Sequence, residues 1–231
     1  MDIEKIKLEV FRIFMDTSLL YENMKECVNF AIALLENEIV TDNICILAGL
    51  NENEYYDIKK YFLKVLNNLG IEIDVYDKNL ALRYLEKIAG DVLNNRKHPC
   101  VAVMELARYN REIFDGDSVY SIYSELDEII SLIIYDNISI ITPAINKDNL
   151  EGYIRHHFKL VLKIRDMDLP ANIYEQAYCK RCKYRIIPEI KLNPSGTYYE
   201  RKCPKCGHGE FFWIRHNNGM DLYLNEIISY K

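Results

Sequence analysis

Four cysteines near the C-terminal end constrain this chain more than any other feature. Cys179-Lys180-Arg181-Cys182 and Cys203-Pro204-Lys205-Cys206-Gly207 are two CxxC pairs with 20 residues between them. Two thiolates three residues apart can grip one ion from a single tight turn, because backbone amides in the turn point at the sulfurs. Two such turns supply the closed tetrahedral all-thiolate shell that zinc favours. Gly207 lets the backbone take a positive φ after the second pair, and Pro204 stiffens its entry. Cys179, Cys182, Cys203 and Cys206 are therefore the expected ligands of a structural Zn2+. A catalytic zinc needs an open coordination position, and four cysteines leave none. His208 stands close by, but beside a full shell it reads as a solvated neighbour or a hydrogen-bond donor to the ligands.

The two pairs and their spacing resemble a zinc ribbon, over roughly residues 172–216. That is a fold group without one activity, so the resemblance implies short strands around a metal and no particular reaction. A segment this small buries too little apolar surface to stand alone, so metal binding is part of its folding free energy. Iron is the alternative ion, because Cys203-Pro204-Lys205-Cys206-Gly207 also resembles the second metal-binding turn of rubredoxins. A helical part followed by such a site is similar in outline to rubrerythrin, which implies Glu-x-x-His pairs around two irons. Three residues before His98, His156 and His157 stand Asn95, Tyr153 and Ile154. None is a carboxylate, and the rubrerythrin likeness ends there.

Around these turns the chain reads as β. Asn172–Tyr178, Tyr184–Ile190, Thr197–Lys202 and Glu210–His216 are short, β-branched or aromatic, and separated by Pro, Gly and Asn. Asn193-Pro194-Ser195-Gly196 is a strong turn, and Met220 to Tyr230 fits either a strand or a short helix packed on the sheet. Before Asp168-Leu169-Pro170 the rhythm is helical. Leu20, Met24, Cys27, Val28, Ala31, Leu34 and Leu35 keep a 3.6-residue period, as do Tyr55, Ile58, Phe62, Val65, Leu66 and Leu69. Similar stripes run through Leu82 to Val92, Val119 to Ile133 and Leu150 to Ile164. Asn51 and Glu54 resemble a capping box, Gly70 closes a helix, Pro99 opens a short one, and Asp115-Gly116-Asp117 makes a turn. The expected fold is α+β: an all-α domain of about six to eight helices over 1–168 and a small β domain, the zinc ribbon, over 169–231.

Composition fits this division. Of 231 residues 49% are hydrophobic and 28% charged, the balance of a folded domain rather than a disordered chain. The net charge of −6 is unevenly spread. Residues 1–168 carry 19 Lys+Arg against 29 Asp+Glu, whereas 169–231 carry 10 against 6, so the second part is basic. Lys180, Arg181, Lys183, Arg185, Arg201, Lys202, Lys205 and Arg215, with Lys191, are interleaved with Tyr184, Tyr198, Tyr199, Phe211, Phe212 and Trp213. Cations among stackable rings are what single-strand recognition uses, which makes nucleic acid a possible partner. The competing reading gives the rings to a small core and the cations to its solvated face, on a protein whose overall acidity repels phosphate.

The apolar runs fall well short of the roughly 20 residues that span a bilayer, and no membrane partner is expected. With seven cysteines, an odd number, and no signal-like start, the chain reads as cytoplasmic; Cys27, Cys45 and Cys100 read as buried thiols. The wealth of Ile, Asn, Lys and Tyr suggests an AT-rich bacterial coding bias, which bears on origin only. No catalytic motif stands out. Arg108, Arg111, Asp115 and Asp117 read as turn and cap chemistry. His156 and His157 diverge by about 100° on a helix, so one faces solvent and the other packs. No phosphate loop, nucleophile elbow or His-Glu-x-x-His motif is present. The expectation is a non-enzymatic interaction protein whose helical domain binds a protein partner while the ribbon stabilises or extends the contact. A nucleic-acid-binding regulator and an enzyme with a helical-domain site are the alternatives.

Overall fold

A computed structural model describes residues 2–17, 24–74, 76–113, 121–135, 145–165, 167, 169–170 and 172–229. Among them the architecture is α+β: eight helices precede residue 169, and five short strands and a ninth helix follow it. The chain divides into two compact units, Met1–Leu85 and Glu86–Lys231.

The first unit holds α1 (Ile3–Thr17), α2 (Lys25–Glu36), α3 (Asp42–Ala48), α4 (Tyr55–Asn68) and the start of α5 (Lys78–Leu93). Apolar residues three and four apart on each helix converge on one core that includes Val10, Ile13, Phe30, Leu34, Ile44, Leu47, Ile58 and Phe62. Thr41 caps α3 by accepting from the Ile44 amide at 3.3 Å. Gly70 ends α4 at φ 64°, with the Ile71 amide reaching back to the Leu66 carbonyl at 2.9 Å. The Asn51–Glu54 pair forms half of the expected capping box. Glu54 accepts from the Asn51 amide at 2.6 Å, but it directly precedes α4 rather than lying inside it. Asn51 instead accepts from Asn53 at 3.1 Å, which is an Asx turn ahead of the helix. Cys27 and Cys100 are buried as expected, whereas Cys45 is exposed. The short α3 turns Ile44 and Leu47 inward and leaves Cys45, between them, outward.

In the second unit α6 (Pro99–Ile113) is a full fifteen-residue helix where a short one was expected. It is followed by α7 (Ser121–Tyr135) and α8 (Leu150–Ile164). Tyr123 of α7 stacks on Phe158 of α8 with ring centroids 5.8 Å apart. Asp115, Gly116 and Asp117, the Arg111 side chain, and the stripe positions Leu20 and Val119 lie outside the described residues.

The β segments are shorter than their sequence signals. A 3-10 turn, Ile173–Glu175, leads into β1 (Ala177–Cys179), then β2 (Arg185–Ile186), β3 (Glu189–Leu192), β4 (Tyr199–Lys202) and β5 (Phe211–Trp213). One antiparallel sheet has the order β2-β1-β5, and β3-β4 is a separate hairpin. The run expected over 184–190 is split at Ile187-Pro188, where proline lacks the amide a continuous ladder needs. The final stretch is helix α9 (Asn217–Ser229). Its Met220 and Leu224 pack with Leu160 and Ile164 of α8, and its Tyr223 with Tyr178 and Ile214. Gly219 makes that docking close: a Cβ there would stand 2.1 Å from the Trp213 carbonyl oxygen.

Candidate metal centre

The two CxxC turns are equivalent in backbone geometry. In the first, the Lys183 amide donates to the Cys179 carbonyl at 2.9 Å, and the Cys179 amide donates to the Tyr184 carbonyl at 3.1 Å. In the second, Gly207 donates to Cys203 at 2.9 Å, and Cys203 donates to the His208 carbonyl at 2.8 Å. Lys183 and Gly207 occupy matching places with φ 62° and 71°. The sequence signalled Gly207 but gave the same conformation at Lys183 no glycine to mark it. The offset alone, four residues after the leading cysteine in both turns, carries that information.

Strand pairing brings the turns together. β1 ends on Cys179, whose pairing partner is Phe211 on β5, and the Lys180 amide continues to the Glu210 carbonyl at 3.0 Å. β4 ends at Lys202, immediately before Cys203. The four sulfurs lie within 4.8 Å of one another, with Cys179 and Cys206 3.5 Å apart and Cys182 and Cys203 3.7 Å apart. Cys179 and Cys203 are buried, and Ile186 and Phe211 pack against the cluster. All four expected ligand residues thus converge on a site that can hold one metal ion. Burial opposes ionisation of Cys179, but the amides of Cys182 and Arg181 outweigh it and bring the thiol down to about 7. The backbone amide of His208 favours ionisation of Cys206, but burial and its hydrogen bonds with the neighbouring thiols outweigh it and push it up to about 11, so Cys179 is the sulfur that ionises first. His208 contributes its carbonyl and is not part of the four-sulfur group.

The eight basic residues singled out as nucleic-acid contacts do not form one free face. Lys180 pairs with Glu210 at 3.4 Å, Arg185 with Glu226 at 3.1 Å, Lys202 with Glu200 at 3.1 Å and Arg215 with Glu125 at 3.0 Å. Arg201 and Arg215 lie over the Trp213 ring, at 4.9 and 5.2 Å from its centroid. Lys205 of the second turn covers the Tyr184 ring that follows the first. Among the described residues, Arg181 and Lys183 alone of the eight make no such contact.

Two polar features escaped sequence reading because their partners are far apart in the chain. At a cleft of about 600 Å3 lined by Leu126, Ile129, Tyr153, Phe211 and Trp213, Glu125 meets His216 Nε2 at 2.9 Å. Burial acts to raise the Glu125 carboxyl, yet the hydrogen bond from His216 and the charge of Arg215 hold it below its ordinary value. Its charge is engaged by both, so the arrangement ties α7 to the entry of α9. The second feature is His157, buried on α8, while its neighbour His156 is exposed and pairs with Asp221 at 2.8 Å. Asn217 donates to the Tyr153 carbonyl at 2.9 Å, which orients its oxygen to accept from His157 Nδ1, also at 2.9 Å. His157 Nε2 is buried without a partner. Burial therefore pushes the imidazole down to about 4, against the opposing effect of Asn217.

No protein-family model matches this chain, and neither a curated protein nor a solved structure matches it. Among the described residues, no helix is long and apolar enough to cross a membrane.

Proposed function

We propose that the chain is a zinc-containing interaction protein with no chemistry at its metal, and that its C-terminal region is a ribbon presenting a contact surface to a protein partner. Zinc suits the donor set. A tetrahedral shell with Zn–S bonds near 2.3 Å has sulfur–sulfur edges of about 3.8 Å, close to the 3.5 and 3.7 Å separations across the two turns. An ion held by four thiolates has no place for substrate. Its role is to fix two turns and the strands that carry them.

One observation favours a protein partner over nucleic acid, and it is the β3–β4 hairpin. Ile190, Leu192 and Tyr199 are 65%, 52% and 73% exposed, three large apolar side chains close together on two short strands. Clustered exposed apolar groups rimmed by charge mark protein contacts. On the hairpin itself Lys191 pairs with Glu189 and Lys202 with Glu200, which weakens their pull on phosphate. This gives the ribbon a larger share of the interface than the sequence suggested, with the acidic helical part as the other contact.

Affinity capture from the source cell, with the full chain and with a Leu192→Asp/Tyr199→Asp variant as baits, tests this reading. The expected result is one identified protein, recovered in reproducible stoichiometry by the first bait and lost with the second. Equal recovery by both baits, or none, counts against the surface. Titration with single- and double-stranded DNA and RNA at two salt concentrations completes the test. Tight, steeply salt-dependent binding that is lost in an Arg181→Ala/Lys183→Ala variant would replace the protein reading with a nucleic-acid one.

A further inference from the structure

The β3–β4 hairpin has two dissimilar faces. Its register opposes Glu189 to Lys202, Ile190 to Arg201, Lys191 to Glu200 and Leu192 to Tyr199. Side chains alternate along a strand, so Glu189, Lys191, Glu200 and Lys202 share one face, and Ile190, Leu192, Tyr199 and Arg201 the other. The charged face is a checkerboard in which every ion has an opposite neighbour across the hairpin. Along the strands, Lys191 meets Glu189 at 2.8 Å and Lys202 meets Glu200 at 3.1 Å.

The outer edge of β3 is open. The Asn193 amide donates to the Tyr198 carbonyl at 2.9 Å. Antiparallel ladders alternate between bonded and non-bonded pairs, so Lys191 and Glu189 point their backbone groups towards β4. Ile190 and Leu192 then point theirs away. Among the described residues, neither makes a backbone hydrogen bond outside the hairpin, and β3 has β4 as its one strand neighbour. An edge of this kind is a template for another strand.

We infer that a second copy of this chain pairs with it, β3 against β3 in antiparallel register, about a two-fold axis through Ile190. The register follows from charge. Centring the axis on Ile190 sets Glu189 opposite the partner's Lys191, and Lys191 opposite the partner's Glu189. The checkerboard therefore continues unbroken across the new seam. Centring it on Lys191 or Glu189 would place like charges face to face, and centring it on Leu192 would set Lys191 opposite the uncharged Asn193 and gain no ion pair. The β4 edge offers no equivalent, since axes through Glu200 or Arg201 also oppose like charges. Backbone geometry agrees, because Ile190 has both its amide and its carbonyl outward and exchanges both with its copy. The amide of Leu192 meets the carbonyl of Pro188, whose missing N–H stops the ladder from lengthening.

The product is a four-stranded sheet, β4-β3-β3-β4, with two copies of Ile190, Leu192 and Tyr199 on one face and the two Arg201 side chains at its outer strands. A lone two-stranded hairpin is marginal in water, and four strands with an apolar face are not. This proposal rests on the reading of the ribbon as a contact surface and names its first occupant.

Sedimentation of the metal-loaded full chain across a range of concentrations tests the pairing. A reversible monomer–dimer equilibrium is expected. Lys191→Glu and Glu189→Lys should each weaken the dimer on the order of tenfold, by opposing like charges twice. Mixing the two single variants should restore association as a heterodimer, because opposite charges then meet at both seam positions. Ile190→Pro, which removes the central donors, should abolish it. Circular dichroism and metal content, unchanged in every variant, establish that the fold is intact. A wild-type chain that stays monomeric, a dimer indifferent to the single swaps, or two folded single variants that do not associate when mixed would each overturn the pairing. Partner capture separates this from the preceding reading. A monomer that still binds its partner through Leu192 and Tyr199 loses only the self-pairing, and a dimer that captures nothing loses only the partner.

Discussion

In the Met1–Leu85 unit, Leu34, Ile44, Leu47, Ile58 and Val65 are buried completely within one continuous core. The strands around the cysteines gather Ile186, Phe211 and the cysteines themselves on one side, and on another Tyr178 and Phe212 meet Ile214 and Tyr223 in a second small cluster. The first region is held by apolar area removed from water, spread over many side chains and tolerant of losing any one. The second has far less apolar packing and gathers four sulfurs at a site that can hold one metal ion, where a bound ion would concentrate its stability. A fold that concentrates its stability in this way is cheap in residues and brittle, and its surface is left free for apolar side chains such as Ile190 and Leu192.

The largest effect should come from taking the metal away. Chelation under reducing conditions, or Cys203→Ser, is expected to unfold β1 to β5 while most helical signal persists, because apparent structural zinc affinity is on the order of 10 kcal/mol. Trp213 on β5 is the chain's single tryptophan and reports on this region alone. Its emission should shift towards that of an exposed indole. Unchanged emission after complete metal removal would mean the sheets hold themselves together. The converse probe is Leu34→Ala in α2, expected to cost about 3 kcal/mol through lost burial and a residual cavity. In urea it should move the helical transition and leave the Trp213 transition in place. A joint shift of both would show that the two regions unfold as one.

α9 tests how far the region around the four cysteines extends. Gly219→Ala sets a methyl against the Trp213 carbonyl, which cannot yield without moving β5. A loss of about 2 kcal/mol is expected, seen as an earlier Trp213 transition with metal still bound. His157, whose acceptor Asn217 begins α9, gives the same contact a pH dependence. Its folded pKa of about 4 lies below the unfolded value near 6.5, so the unfolded chain binds the extra proton between them. Its contribution is therefore complete above about pH 6.5 and is lost as pH falls towards 4. Between pH 7.5 and 5.5 the loss should be about 1.3 kcal/mol in urea titrations of the wild type. A His157→Gln variant should show a flatter slope, and an equal slope would place the acid sensitivity elsewhere.

How much of this could be read from the chain alone depended on the range of the interactions. In the first unit α2 and α4 announced themselves because periodicity is local, and the four cysteines because their spacing is, whereas α1 and the seven-residue α3 were not singled out. The capping interaction at Asn51 shifted by one turn of the chain, a scale on which periodic signals say little. Cys45 was misplaced because α3 buries only the face carrying Ile44 and Leu47, and a residue one step along a helix turns about 100° away from it. Contacts made at long sequence separation left no local trace: Glu125 with Arg215 and His216, and Asn217 with His157. The basic residues were the clearest limit. Their number was visible, but the carboxylates that neutralise Lys180, Arg185 and Arg215 come from Glu210, Glu226 and Glu125, up to 90 residues away. A list of cations says nothing of free charge until its partners are placed.

The smallest effect probes the two turns against each other. Lys183 holds a left-handed conformation that Gly207 holds at the matching place, and a side chain pays steric strain there that glycine does not. Among the described residues Lys183 makes no ion pair, so its replacement removes no contact. Lys183→Gly relieves about 1 kcal/mol of strain but gives the unfolded chain more freedom, leaving a net gain of about 0.5 kcal/mol. In competition with a chelator this is roughly a twofold gain in metal retention. Gly207→Ala should lose metal instead, since it introduces strain where none existed. If Lys183→Gly weakens retention, the two turns are not equivalent supports of the ion. The first turn would then depend on the lysine side chain, and the comparison between a many-contact core and a four-atom clamp would have to include it.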